Sequence, residues 1–233
     1  MRLERRSTQI ISFFLDEILP PILRDQCWFM WPLQWLLFRQ YTKEFMDFKI
    51  KAPGISSDEV RRIYENTSQV HLQRETDLTP ACLAAVETSI KGNSVLEVGC
   101  GRGYLLNKLA NNFKVTGVDF VLDPKIRKLK NKIQLICADV EMLPFVTDGF
   151  DTVVCTHTLE HVKNLHSVMG QLRRIARKRL VVVVPLQRPY KYTFDLHLHF
   201  FPYPHSFLNQ VGMGSGKVLT KKIGRDLLYL EDM

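Results

Sequence analysis

"VLEVGCGRGY", residues Val95 to Tyr104, decides how the rest of the chain is read. An apolar, β-branched run ends in three glycines, Gly99, Gly101 and Gly103, and a helix-forming stretch follows. Glycine at such a turn reaches positive φ and lets a ligand approach the backbone. A dinucleotide site needs G-x-G-x-x-G, the last glycine easing contact with the opening helix. Position 104 is Tyr104, so the spacing is G-x-G-x-G and a dinucleotide is not indicated. Taken alone, the triplet reads equally well as a structural turn.

Further apolar runs stand on both sides of this loop. "SVLEV" (94–98), "KVTGV" (114–118), "IQLIC" (133–137), "DTVVC" (151–155) and "RLVVVV" (179–184) alternate with helical segments. Those segments include "GYLLNKLANN" (103–112) and "LEHVKNLHSVMGQLRRIARK" (159–178). The alternation predicts an α/β fold, a mostly parallel sheet with helices on both faces. "KVLTKKI" and "DLLYLED" flank Gly224-Arg225 and predict a closing hairpin. Residues 1–90 carry helical spacing, with turn signals at Pro20-Pro21 and Pro53-Gly54. "SSDEVRRIY" has a serine start and early acidic residues, as a helix N-terminus should. Two parts are expected: an N-terminal helical region, 1–90, and an α/β domain, 91–233.

Carboxylates recur at the ends of the strands. Asp119 lies 20 residues after Gly99, in "VTGVDF", and Asp139 follows the third strand in "CADVEMLPF". A carboxylate after the second strand accepts hydrogen bonds from ribose hydroxyls, and open α/β sheets bind ligands along this edge.

Together "VLEVGCGRG", "GVDF", "ADVEMLPF" and "FDTVVCTHTLEHV" resemble the class I S-adenosylmethionine-dependent methyltransferases. Within them the chain is most similar to the small-molecule branch of ubiquinone and menaquinone biosynthesis, over about residues 90–212. The resemblance implies a Rossmann-like class I methyltransferase fold with S-adenosyl-L-methionine as cofactor. It assigns Glu97, Gly99, Cys100, Gly101 and Gly103 to the methionine end of the cofactor, and Asp119 with Phe120 to the ribose. Asp139 and the backbone of Val140 would take the adenine edge, and His157 would border the sulfonium.

"HTLEH", His157 to His161, also spells the H-x-x-E-H of inverted zinc metalloproteases. On one helix these three side chains would share a face. Catalytic zinc needs a third protein ligand. The downstream acidic candidates Asp195, Asp226, Glu231 and Asp232 sit in segments with other jobs. The family also has members with a divalent cation at an E-x-x-E-H, and here His157 replaces the first glutamate. That donor suits magnesium poorly and a softer ion better. The reading adopted assigns no metal. It makes "LEHV" the start of a helix at the active-site mouth, with Glu160 and His161 capping it or meeting the acceptor.

The segment after the fifth strand, Leu186 to Leu208, holds seven aromatics and His197, His199 and His205. Aromatic side chains offer apolar walls and histidine offers a base that titrates near neutrality. His161, His199 and Glu160 are therefore the catalytic candidates. Trp28, Trp31 and Trp35 recur at steps of 3 and 4 on one helical face. They are expected to be buried, packing on the catalytic domain or roofing its pocket. The alternative is peripheral contact with a membrane, because Trp beside Arg favours the headgroup boundary.

Composition narrows the classes. The five cysteines are scattered without C-x-x-C spacing, which implies a reduced, cytoplasmic protein. The positive start "MRLERRSTQ" leads into an apolar run broken by Asp16 and Glu17, and no signal peptide is expected. The longest stretch free of both charged residues and histidine, Gln26 to Phe38, is 13 residues, too short to span a bilayer. Net charge is +8, with basic clusters at 124–132 and 173–179, read as solvated helix faces. The expected acceptor is a small molecule, a saccharide or a lipid-linked group. An RNA or protein acceptor is the alternative, then a non-catalytic cofactor-binding module, then a metallohydrolase. DNA is not expected, because no D/N-P-P-Y/F/W and no Pro-Cys pair occurs.

Overall fold

The computed structural model describes residues 13–67, 75–122, 126, 133–192, 194–214 and 216–233. The positive N-terminal front and, apart from Ile126, the basic cluster at 124–132 lie outside the described residues.

Among the described residues seven strands form one sheet: β1 Ser94–Val98, β2 Lys114–Asp119, β3 Ile133–Cys137, β4 Phe150–Thr156, β5 Ala176–Pro185, β6 Val218–Ile223 and β7 Asp226–Asp232. Their order is β3-β2-β1-β4-β5-β7-β6. The first five are parallel, and β7 runs antiparallel between β5 and β6. The five predicted runs and the hairpin at Gly224 thus all become strands. Central strands of a parallel sheet are apolar on both faces because helices cover both. Here Leu180, Val182 and Val184 enter one buried cluster and Val181 and Val183 the other.

Helices α1 Cys27–Phe38, α2 Thr42–Lys51 and α3 Ser57–Thr67 precede the sheet, as does α4 Pro80–Ser89. Within and after it come α5 Tyr104–Leu109, α6 Leu165–Ile175 and α7 Pro204–Val211. Residues of α6 and α7 pack in the first cluster, and those of α4 and α5 in the second. The expected start of α3 is built by a reciprocal cap. Ser56 N donates to Glu59 Oε2 at 2.8 Å, and Glu59 N donates to Ser56 Oγ at 3.2 Å.

Two compact units result: 1–74 with 187–200, and 75–186 with 201–233. This division differs from the boundary expected at residue 90. Cys82 and Val86 tie α4 to the sheet's second cluster. Polar contacts tie 187–200 to the first helices. Arg24 is 3% exposed and donates to the Leu15 and Pro189 carbonyls, both at 3.0 Å. Lys49 donates to the Tyr190 carbonyl at 3.1 Å and lies 4.1 Å from the Phe200 ring centre.

The expected burial of the tryptophans is not found. Trp28, Trp31 and Trp35 are 67%, 43% and 50% exposed. Met30 and Gln34, one turn apart, face inward instead, and Met30 packs with Met46 and Tyr192. No described helix is long and apolar enough to cross a membrane.

Candidate active site

The strand order reverses between β1 and β4, so the carboxyl ends of β1, β2 and β4 border the crevice where α/β sheets take ligands. Gly99, Gly101 and Gly103 turn the chain from β1 into α5 with φ of 75°, 49° and 74°. Gly99 N donates to the Val118 carbonyl at 2.8 Å, which pins the loop to β2. A Cβ on Gly99 would overlap the Thr158 side chain, so the loop closes only around glycine. At Gly101 a Cβ would meet nothing, and there the positive φ alone favours glycine.

Asp119 Oδ2 accepts from Gly101 N at 2.7 Å and its Oδ1 accepts from Val121 N at 3.1 Å. A carboxylate has about four acceptor sites, so these two bonds leave capacity for a ligand. Burial raises the Asp119 pKa, against the amides of Gly101, Val121 and Phe120 and the His161 charge. Glu97, at the end of β1, is 3% exposed, and its Oε2 has no hydrogen-bond partner. Burial, then the Asp119 charge, pushes the Glu97 carboxyl well above the usual range, despite a bond from the Leu106 amide. Two carboxylates, one with a buried orphaned oxygen, stand beside a positive-φ loop. This set fits a ligand that brings cationic and hydroxyl donors.

The other expected residues are placed as follows. Cys100 turns its thiol into the core, so only its backbone faces the loop. The Phe120 carbonyl accepts from Cys137 Sγ at 3.3 Å. Asp139 Oδ1 accepts from Glu141 N at 2.9 Å, and Val140 packs against the main core. His199 lies in the segment 187–200, within the other compact unit.

"HTLEH" does not form one helix. Leu159–His161 is a single 3₁₀ turn, α6 starts only at Leu165, and Asn164 caps it by accepting from Ser167 N at 3.0 Å. His157 stands before the turn with φ of 50°, so the shared face expected of H-x-x-E-H is not built. Its ring nitrogens face opposite ways: Nδ1 is 3.5 Å from Glu160 Oε1 and Nε2 is 3.6 Å from Asp226 Oδ1. Burial alone would lower the His157 pKa. The hydrogen bond and charge of Glu160, then Asp226 and Asp77, outweigh it and raise it. Thr158 against Gly99, and Asp226 beside His157, were not read from the sequence as a pair of contacts. Nothing in the spacing of the chain joins β7 to this turn.

A group with a raised native pKa stabilises the fold fully below its unfolded pKa and loses that contribution as pH rises through the native one. The Tm advantage of the wild type over His157→Gln should therefore be full below the ordinary histidine value of about 6.5 and shrink as pH rises through the raised native one. Thermal scans across this range test it; an advantage that grows with pH would mean the ring is neutral in the fold.

Residues 96–184 match the family model described as a methyltransferase domain. A ubiquinone biosynthesis O-methyltransferase of Coxiella burnetii is 38% identical over 95 residues, 36% of this chain and 40% of that protein. The mitochondrial arginine-hydroxylase NDUFAF5 of Rattus norvegicus is 35% identical over 88 residues, 35% of this chain and 25% of that protein. The matches thus span less than half the length of these relatives. Among solved structures, the 1,6-didemethyltoxoflavin-N1-methyltransferase of Burkholderia thailandensis, with S-adenosylhomocysteine bound, aligns with a TM-score of 0.59. It is 16% identical and covers 75% of this chain and 85% of its own. A methyltransferase of Thermotoga maritima aligns with a TM-score of 0.55 at 20% identity, over 85% of this chain and 99% of its own. At these identities the structural likenesses establish the fold. Residues 96–184, which match the methyltransferase-domain model, form the central part of that fold.

Proposed function

We propose that the chain transfers a methyl group to oxygen or nitrogen of a small-molecule, saccharide or lipid-linked acceptor. The reading rests above all on Glu97 and Asp119, a buried carboxyl with an orphaned oxygen and a second carboxylate braced on Gly101. Bound S-adenosylmethionine supplies an electrophilic sulfonium methyl. In this reading Glu97 and the Gly99–Gly103 loop, Cys100 through its backbone, hold the methionine end. Asp119 and Phe120 hold the ribose, Asp139 and the Val140 backbone hold the adenine edge, and His157 with Glu160 stiffens the wall. His161 takes the acceptor's proton, with His199 as the second candidate. The enzyme's main contribution is alignment of nucleophile and methyl.

Two findings support a small acceptor over RNA. One set of relatives bears the name ubiquinone biosynthesis O-methyltransferase. The basic cluster at 173–179, expected as a solvated face, is engaged within the protein. Arg173 pairs with Glu231, Arg177 and Lys178 with Asp151, and Arg179 with Asp232. Arg174 donates to the Phe145 carbonyl at 2.6 Å.

Hydrogen bonds to a charged group contribute about 1.5–3 kcal/mol each. Asp119→Ala should weaken S-adenosylmethionine binding by at least about tenfold. Calorimetry that shows unchanged affinity would remove Asp119 from the site. Cofactor binding without turnover in a broad screen with labelled methyl would favour a non-catalytic module.

A further inference from the structure

Helix α1 has its polarity reversed. Its single non-apolar side chain apart from the Cys27 thiol is Gln34, and that one is fully buried, while Trp28, Trp31 and Trp35 face out. Leu36 is 62% exposed, and just before the helix Ile22 is 75% and Ile18 58% exposed. Water opposes such an arrangement, since burial of an aromatic or aliphatic side chain is favourable. Large apolar surface left outward marks an interaction site.

We propose that this face is a docking surface for an anionic lipid bilayer, on which the protein sits without crossing it. Three observations select lipid. First, a helix of 12 residues is about 18 Å long, against about 30 Å of bilayer core, so α1 lies in the interface rather than through it. Second, tryptophan is the side chain that favours the headgroup boundary. Arg39, at the end of the helix, lies 4.6 Å from the Trp35 ring centre, which gives the aromatic row a cationic edge. Third, the charges complement an anionic surface. No charge falls between Gln26 and Phe38, Arg2, Arg5 and Arg6 outnumber Glu4 ahead of the apolar stretch, and the chain carries +8 overall. Glu17, on the same stretch, is paired with Arg188, and Asp16 is buried.

The test is co-sedimentation of the full chain with phosphatidylcholine vesicles that contain phosphatidylglycerol, with tryptophan emission read in parallel. The chain should pellet with these vesicles, its emission should shift to the blue, and added salt should weaken binding. Trp28→Ser, Trp31→Ser and Trp35→Ser together should weaken binding by about a hundredfold. They should leave the far-UV circular dichroism and melt unchanged, because the side chains are exposed. If that variant does not fold, Arg39→Glu and the pair Ile22→Ser and Leu36→Ser carry the test, each weakening binding. Absence of pelleting, or binding indifferent to every one of these substitutions, overturns the proposal. So does a lipid-free dimer, seen by light scattering, that the tryptophan substitutions dissolve, since the face then belongs to a second copy.

Discussion

Gly99→Ala should destabilise the sheet-bearing unit by about 2–5 kcal/mol. Two costs add. A left-handed backbone costs an L-residue about 1–2 kcal/mol, and Gly99 has φ of 75°. Overpacking a tight contact costs about 1–3 kcal/mol more, and the new methyl would overlap Thr158. In a chain of this length the sum lowers Tm by roughly 5–15 °C. Calorimetric or circular dichroism melts check it. The two costs separate in a double-mutant cycle. Thr158→Ala in the Gly99→Ala background should restore the steric part and leave the backbone part. A Tm within a degree or two of wild type would show that the loop rearranges freely, and the argument for a rigid cradle would fail with it.

His161→Gln should lower turnover by about 10²–10⁴-fold while S-adenosylmethionine affinity stays near normal. His161 follows β4 at the edge that carries Asp119, and its charge is felt by that carboxylate. Its backbone is fixed, with N donating to the Thr158 carbonyl at 3.0 Å. Glutamine keeps the size and a hydrogen bond but cannot take a proton. The assay runs on the acceptor found with labelled cofactor, beside His199→Gln as the rival. A histidine serves as a base only while unprotonated, so wild-type activity should fall in acid and the variant's residual activity should not follow it. If both variants retain near-full turnover, neither histidine is the base and alignment carries the reaction alone.

The parallel core was legible because its strands are short β-branched runs set between helices, and because Gly224-Arg225 breaks the last run into a hairpin. The loop and carboxylates at the carboxyl edge of the sheet were legible because glycines and acidic residues sit directly at strand ends. Three features were not. The helix after β4 starts at Leu165 rather than 159, since "HTLEH" holds no Gly or Pro to mark the break and Asn164 hides its cap in an ordinary string. β5 extends back to Ala176 through a run of Arg and Lys, because Asp151 and Asp232 balance those charges from other strands. The tryptophans were legible as a face but not as a direction. In a helix apolar all round, periodicity cannot say which side faces in, and contacts of Met30 with Met46 and Tyr192 decided it.

The first compact unit is interrupted in sequence by most of the second, and this sets an order on synthesis. Arg24 and Lys49 leave the ribosome 165 and 141 residues before their partners Pro189 and Tyr190. At about 5–20 residues per second the delay is roughly 7–33 s. In that interval the five parallel strands emerge and the early helices lack the segment that completes their interior. The polar anchor of Arg24 and the tryptophan-bearing helix beside it are thus both exposed on the nascent chain. The exposed tryptophan face is available to a chaperone from the first seconds of its existence.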